Sequence, residues 1–341
     1  MISIDCFKGL PLEYESFLIE RYASFMTTCP YLEIYFPDTE FNYMLVSENS
    51  KLVELLIFGN KGNTARCFNS MVDIEQNIVA ECTKKLFEEY PVVQKINIAL
   101  SYKDYSLNKS FLDSRTYDYI INLPTKVADY YVGLGPKNRK SIRNHQKRFL
   151  RDYPQAHVIT LRGHQIKETV VNKILQLNRD RMKSKGVVPG RDETEIRNIY
   201  KFSLHYGYVT YFEIDGVIVA GNISYILNKR IFGHVTAHEN SFSLYNLGQL
   251  CRLYVFQASI EKGLSTYHLL SGNGEYKIKL LAKPHSLFSY FIYRTFSVEF
   301  VTSRVKARVW DALITIRQSN FSKPLRDVIK SYRKRRWQKS F

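Results

Sequence analysis

The sequence predicts an α/β protein of the α+β type, built as two lobes in tandem. Each lobe is expected to be a mixed, mostly antiparallel sheet flanked by helices, and a basic helical tail follows. Three observations carry this. Residues 208–237 alternate strand-forming runs with tight turns ahead of a helix-periodic segment, and residues 41–102 follow the same order. Of the 341 residues, 45% are hydrophobic, 14% aromatic and 24% charged, the profile of a folded chain with material for a sizeable core. At roughly 100–200 residues per domain the length suits two domains. Their expected bounds are 1–125 and 126–295, with the tail at 296–341.

In the second half, YVTYFEI (208–214) is rich in β-branched and aromatic residues. Asp215-Gly216 and then VIVAGNISYIL (217–227) make a strong hairpin signal. Asn228-Lys229 turns the chain into a third strand at 230–237, and a polar loop, HENSFSLYN, leads to 247–263. There Leu247, Leu250, Leu253, Tyr254, Phe256, Gln257 and Ile260 recur with helical period, and Gly263 stands at the C-cap. STYHLLSG follows as a further strand. In the first half, 41–48 leads by a turn to 51–59, and a second turn at 59–63 leads to 64–71. A helix is expected over 77–90 and a strand over 92–102. Two units of one order and similar length point to duplication. Between them, 126–154 and 166–186 read as helices. In the first, Ile142, His145 and Phe149 mark one face and basic residues fan over the others. A further helix is expected around 13–25, and the region after about 295 reads as helical, basic and interrupted by Pro324.

The net charge is +17, from 49 Lys and Arg against 32 Asp and Glu. Residues 137–151 hold seven Lys or Arg and no acid, and 323–341 hold eight against one Asp. Such clusters imply an anionic partner: nucleic acid, a phospholipid surface or a phosphorylated cofactor. The plain alternative is a solvated helix face and a basic end. Cys6, Cys29, Cys67, Cys82 and Cys251 are odd in number, far apart and without CxxC spacing, as expected of reduced thiols in a cytosolic protein. The opening MISIDCFKGLPLEYESF carries acids and no long apolar run, so no signal peptide is expected. No window approaches about 18 uninterrupted apolar residues, so no transmembrane helix is expected. The expected location is cytoplasmic, with the tail able to rest on the inner face of the membrane.

The GxSxG, Walker, HExxH and GxGxxG signatures are absent. His234 and His238 would share a strand face but have no third ligand nearby, so no metal is expected. What remains is the loop-to-helix junction SLYNLGQL (243–250). The unpaired N–H groups and positive end of a helix start attract anions, and Gly248 permits close backbone approach. The alternative there is an ordinary capped helix.

The run from YFEIDGVIVAGNISY through SFSLYNLGQL to LSGNGEYKIKLLAK resembles the CelD-like branch of the GNAT acyltransferase superfamily. Ala220-Gly221 matches the small residues of the family's second hairpin strand. Tyr245-Asn246-Leu247-Gly248 stands at its Tyr-Ser-Pro-Gly turn, and Gly272-Asn273-Gly274-Glu275-Tyr276-Lys277 at its Gly-Asp-x-x-Tyr-Lys element. Upstream, LGPKNRKSIRNHQKRF is similar to the family's basic helix and NRDRMKSKG (178–186) to its Arg-aromatic-Lys segment. The likeness covers about 130–295 and, more loosely, the whole chain as a tandem GNAT. Asn273 replaces the usual Asp, and Asn246-Leu247 replaces Ser-Pro.

The resemblance implies an acyl-CoA-dependent N-acyltransferase, with acetyl-CoA or another acyl-CoA as co-substrate and an amine of an amino sugar, polysaccharide precursor or related small molecule as acceptor. It places the pantetheine arm on the strand containing His234, Val235 and Thr236, and the pyrophosphate at Tyr245, Asn246, Leu247, Gly248 and Gln249. Glu275 is expected as base and Tyr276 as proton donor to the leaving thiolate. Arg139, Arg143, Arg181, Asn273 and Lys277 are expected around the substrate. The plain alternatives are a solvated loop acid for Glu275, a core aromatic for Tyr276 and a structural charge for Lys277. Two other functions compete. A Fem-type aminoacyl-tRNA-dependent transferase would use the +17 charge for tRNA. A non-catalytic scaffold would hold anionic lipid through the tail, with Trp337 and Phe341 among its basic residues.

Overall fold

The computed structural model describes residues 2–186, 191–272, 274–296, 300–302 and 305. The N-terminal half supplies β1 (Ile2–Lys8), α1 (Glu15–Tyr22), α2 (Cys29–Tyr35), β2 (Phe41–Glu48), β3 (Lys51–Lys61), β4 (Thr64–Cys67), α3 (Gln76–Glu89), β5 (Lys95–Ser101) and β6 (Ser110–Asn122). The C-terminal half continues with α4 (Val127–Gly133), α5 (Gly135–Asp152), β7 (His157–Arg162), α6 (Glu168–Ser184), α7 (Glu193–Tyr206), β8 (Gly207–Ile214), β9 (Val217–Leu227) and β10 (Arg230–His238). It ends with α8 (Leu247–Glu261), β11 (Thr266–His268), α9 (Glu275–Ile278) and β12 (Lys283–Tyr293). The tail beyond 305, with Trp337 and Phe341, lies outside the described residues, as does Asn273.

All twelve described strands join one sheet, in the order β1-β2-β3-β4-β5-β12-β6-β11-β10-β9-β8-β7. The repeated order read from the sequence returns as repeated topology. In each half two antiparallel pairings lead to one parallel pair, β4 with β5 and β10 with β11, and a helix makes each crossover. The hairpin signal rests on turn chemistry that the backbone displays. Asp215 and Gly216 both take positive φ (49° and 78°), which matches the twist of the paired strands.

The two halves are interlocked across the expected 125/126 boundary. β6 pairs with β11, whereas β12 pairs with β5, and β6 and β12 pair with each other from Lys283↔Ile120 to Ile292↔Ser110. Each lobe is thus completed by a strand from the other half. The three large clusters of buried side chains lie in the N-terminal lobe and on each face of the C-terminal lobe, and a small one joins Phe111, Tyr293 and Phe300. α5 and α8 pack on one of those faces through Phe149, Leu250 and Phe256. α6 and α7 pack on the other through Ile174, Leu175 and Phe202, where they meet Phe25 and Met71 of the N-terminal half. Gly221 allows this, because a Cβ there would fall inside the Ile174 side chain. No helix of the described residues is long and apolar enough to cross a membrane.

Candidate functional site

β10 and β11 begin as a parallel pair and then part. Their register runs from Arg230↔Thr266 to Phe232↔His268 and stops. Beyond it β10 keeps its pairing to β9 as far as His238↔Ala220, with a bulge between Gly233 and Val235. The other chain follows β6 instead, because Leu269 N–H donates to the Tyr119 carbonyl at 2.8 Å. A wedge opens where the two diverge. It holds a cavity of about 340 Å³ lined by 233–236, Tyr267, 269–271 and Tyr276, and by Asn178 and Arg181 of α6, Arg191, and Arg252 of α8. That volume lies near the low end of small-molecule pockets, roughly 300–1,000 Å³.

The two walls are held by different means. Under β10 a buried polar chain runs from Thr236 to Asn222 Nδ2 (2.8 Å), on to Ser224, and then to the Tyr267 hydroxyl (3.3 Å). Tyr267 stands directly over Gly233, where a Cβ would lie 2.7 Å from its Cε1 and 2.9 Å from its Cζ. The opposite wall is held by Lys277, which is 1% exposed. Its ammonium donates to the carbonyls of Leu269 (3.0 Å), Leu270 (2.7 Å) and Ser271 (2.9 Å), which uses all three of its donors. Leu270 sits at φ 56°, a conformation a leucine adopts only when its surroundings impose it. Burial pushes the Lys277 ammonium down to about 8, while Asp118 pulls it upward and Arg252 adds to the lowering.

The expected site residues fall into three groups. His234, Val235, Thr236, Arg181 and Tyr276 come together in the wedge. Lys277 does not line the cavity and holds the 269–271 wall, with its charge committed to those backbone carbonyls. Glu275, exposed at the first position of α9, lies beside Tyr276 and is not among the lining residues. The junction 245–249 also lies off the cavity. Tyr245 packs against Phe149, Tyr153 and Phe242 and donates to Asp152 (3.0 Å), Leu247 is fully buried, and Asn246 opens α8 at φ 51°. Asn246 and Gln249 are hydrogen-bonded to each other. The space beside Gly248 is taken by His238, whose Nδ1 lies 2.8 Å from where a Cβ would stand. Arg139 is half-buried and Arg143 exposed on α5, away from the lining residues. Sequence reasoning did not single out Asn178, Arg191, Gly233, Arg252 or Tyr267. Only Gly233, a glycine inside a strand, carried a local signal.

Three arginines line the wedge, and the pKa values of His234 within it and of His238 beside Gly248 are both lowered. Burial, and then the Arg191 charge, lower His234 to about 3. Burial, then Arg181, Lys185 and Arg252, lower His238 to about 4. The unfolded chain takes up these protons from about pH 6.5 downward, whereas the folded imidazoles resist until pH 4 and below. Stability is therefore lost as the pH falls through that window, by about 2 kcal/mol at pH 5 for His234 and by less for the partly exposed His238, where solvent screens the interaction. Urea unfolding at pH 7 and pH 5 measures this: His234→Gln is expected to lose less stability between the two than the parent. An identical loss in both proteins would contradict the assignment. No group of three or more His, Cys, Asp or Glu among the described residues could hold a metal ion.

Residues 136–278 match the family model described as "Acetyltransferase (GNAT) domain". No curated protein matches the chain. Among solved structures, FemX superimposes with a TM-score of 0.64 at 10% identity, covering 88% of this chain and 100% of its own. A conserved protein of unknown function from Bacteroides thetaiotaomicron gives a TM-score of 0.55 at 15% identity, over 84% and 98%. L-PGS from Bacillus licheniformis gives 0.54 at 14%, over 88% and 96%. At these identities the likeness to solved structures is one of fold. The residues matched by the family model run from α5 to α9.

Proposed function

We propose that this chain is an acyl-CoA-dependent N-acyltransferase whose acyl donor lies along the open edge of β10. The observation that carries the reading is the divergence of β10 from β11 after Phe232↔His268, which leaves 233–236 facing a cavity instead of a neighbouring strand. The backbone N–H groups of this stretch that are not turned toward β9 have no partner strand on the side of the wedge. They are suited to polarise a thioester carbonyl without reorganisation as the oxyanion develops. α6 and α8 reach the gap from opposite faces of the sheet, so donor and acceptor can approach from the two sides and meet at the bulge. Such positioning supplies much of the acceleration in a reaction of this type.

Tyr276, with its ring 5.1 Å from the Arg252 guanidinium, is assigned as proton donor to the leaving thiolate. His234, lowered to about 3, is too weak a base to take a proton from an ammonium efficiently. It serves instead as a neutral acceptor that orients the amine, and Glu275 beside Tyr276 takes the proton through water. The likeness of 208–277 to the CelD-like branch favours an amino sugar, a polysaccharide precursor or a related small amine as acceptor.

A second reading has its own support. Lys137, Lys140, Arg143, Lys147, Arg148 and Arg151 are all exposed on α5, and the start of α8 is closed over by His238. Both suit a Fem-type donor carried on tRNA, bound by its backbone phosphates. Native mass spectrometry and thermal unfolding separate the two. Co-purifying CoA, or stabilisation by acetyl-CoA at tens of micromolar, is the expected result. Absence of both, with salt-sensitive binding of charged tRNA, would overturn the acyl-CoA reading. In turnover, Tyr276→Phe is expected to lower kcat by about 10²-fold with KM little changed. An unaltered kcat would remove Tyr276 from the reaction.

A further inference from the structure

The wedge holds more positive charge than transfer to a plain amine requires. Arg181, Arg191 and Arg252 line it, and no Asp or Glu does. Arg191 has local partners: Glu195 at 3.1 Å and the Asn178 side-chain oxygen at 3.1 Å. The other two do not. Among the described residues the Arg181 side chain reaches only the Thr236 carbonyl, at 3.4 Å, and its Nε is buried without a hydrogen-bond partner there. Arg252 makes no ion pair with any described residue, and its guanidinium lies 5.1 Å over the Tyr276 ring.

The two guanidinium groups also oppose each other. Burial first, and then the Arg252 charge, lower the Arg181 pKa. Two like charges enclosed around one small cavity without a counter-ion are costly to fold. Strain of this kind is retained where a ligand relieves it. A planar, doubly hydrogen-bonding oxyanion is the group that a guanidinium receives best.

Building on the acyltransferase reading, we infer that the acceptor carries an oxyanion, a carboxylate or a phosphate, close to its nucleophilic amine, and that Arg181 and Arg252 receive it. The acyl-CoA reading assigns the phosphates of the donor elsewhere. In that reading the pyrophosphate lies at the start of α8, and none of 245–249 lines the cavity. The acceptor class is therefore a small amino acid, an aminoalkyl phosphate or a chain end bearing one of these, a size that a cavity of about 340 Å³ admits.

The test has two stages on the full chain. The first uses no acyl donor: calorimetric titration with inorganic phosphate and with acetate, on the parent and on Arg181→Gln and Arg252→Gln. Both variants are expected to bind the anion at least tenfold more weakly, while their melting temperatures without ligand stay equal or rise because the mutual repulsion is gone. Unchanged anion affinity in both variants would overturn the inference. The second stage measures transfer from acetyl-CoA to matched amines, alanine against alaninamide and O-phosphoethanolamine against ethanolamine. At least one acidic member is expected to be preferred tenfold or more in kcat/KM, through KM, and the pair in which this occurs tells carboxylate from phosphate. Equal use of neutral and acidic amines would overturn the inference while leaving the acyltransferase intact. So would a preference that appears only when succinyl-CoA replaces acetyl-CoA, since the charge would then belong to the acyl group. Arginine-dependent anion binding without any turnover would instead support the anion site and count against the acyltransferase reading.

Discussion

Lys277→Met is expected to destabilise the protein by about 2–4 kcal/mol and to lower acyl transfer at least a hundredfold. Each hydrogen bond from a charged donor contributes about 1.5–3 kcal/mol, and three carbonyls lose their partner together. Part of that loss is offset, because the lowered pKa of Lys277 reflects a charging cost that methionine does not carry. The remainder falls on one place. Residues 269–271 form the wall facing the open edge of β10, and without the ammonium Leu270 has less to hold it at φ 56°. The wall is then free to relax toward β10 and narrow the wedge. Urea unfolding and steady-state transfer rates measure the two effects. A variant with the parent's stability and rate would show that Lys277 does not hold the cavity open.

Gly233→Ala is expected to cost about 1–3 kcal/mol, the usual range for overpacking a tight interior, and to abolish donor binding. The added methyl would stand closer to the Tyr267 hydroxyl than real Cβ contacts allow, and close to two ring carbons as well. Tyr267 cannot retreat. It is fully buried, its ring lies 4.5 Å from Phe256, and its hydroxyl is tied to Ser224. Either the bulge at 233–235 or the tyrosine must shift, and both line the cavity. A double-mutant cycle with Tyr267→Ala separates this contact from a general loss of packing. The pair is expected to be less destabilising than the sum of the singles by more than about 1 kcal/mol. Additive values would mean that Gly233 is not confined by Tyr267.

Much of the fold was legible because it rests on local chemistry. The Asp215-Gly216 turn declares its hairpin, and the apolar period of 247–263 declares α8, found at Leu247–Glu261. The repeated order was legible for the same reason. The exchange of β6 and β12 was not, because strand partners distant in sequence leave no mark on the residues themselves. For the site, His234, Val235 and Thr236 were named because the family resemblance of 208–277 implies a donor-binding strand there, and the structure sets these three along the cavity. Arg252 escaped notice because a half-buried arginine on a mostly apolar helix reads as an ordinary boundary residue. Gly248 shows the limit from the other side. A glycine at a helix start signals that something comes close, and only the folded chain shows that the imidazole of His238 does.

The central claim is that the free edge of β10 is the seat of the acyl donor. Hydrogen exchange of the backbone amides, with and without saturating acetyl-CoA, tests it most directly. Without ligand those amides of 233–236 that are turned away from β9 are expected to exchange faster than the amides of 230–232, which are enclosed by strands on both sides. With acetyl-CoA they are expected to slow at least tenfold, together with 269–271 across the wedge. Stabilisation of the protein by acetyl-CoA with unchanged exchange at 233–236 would contradict the account.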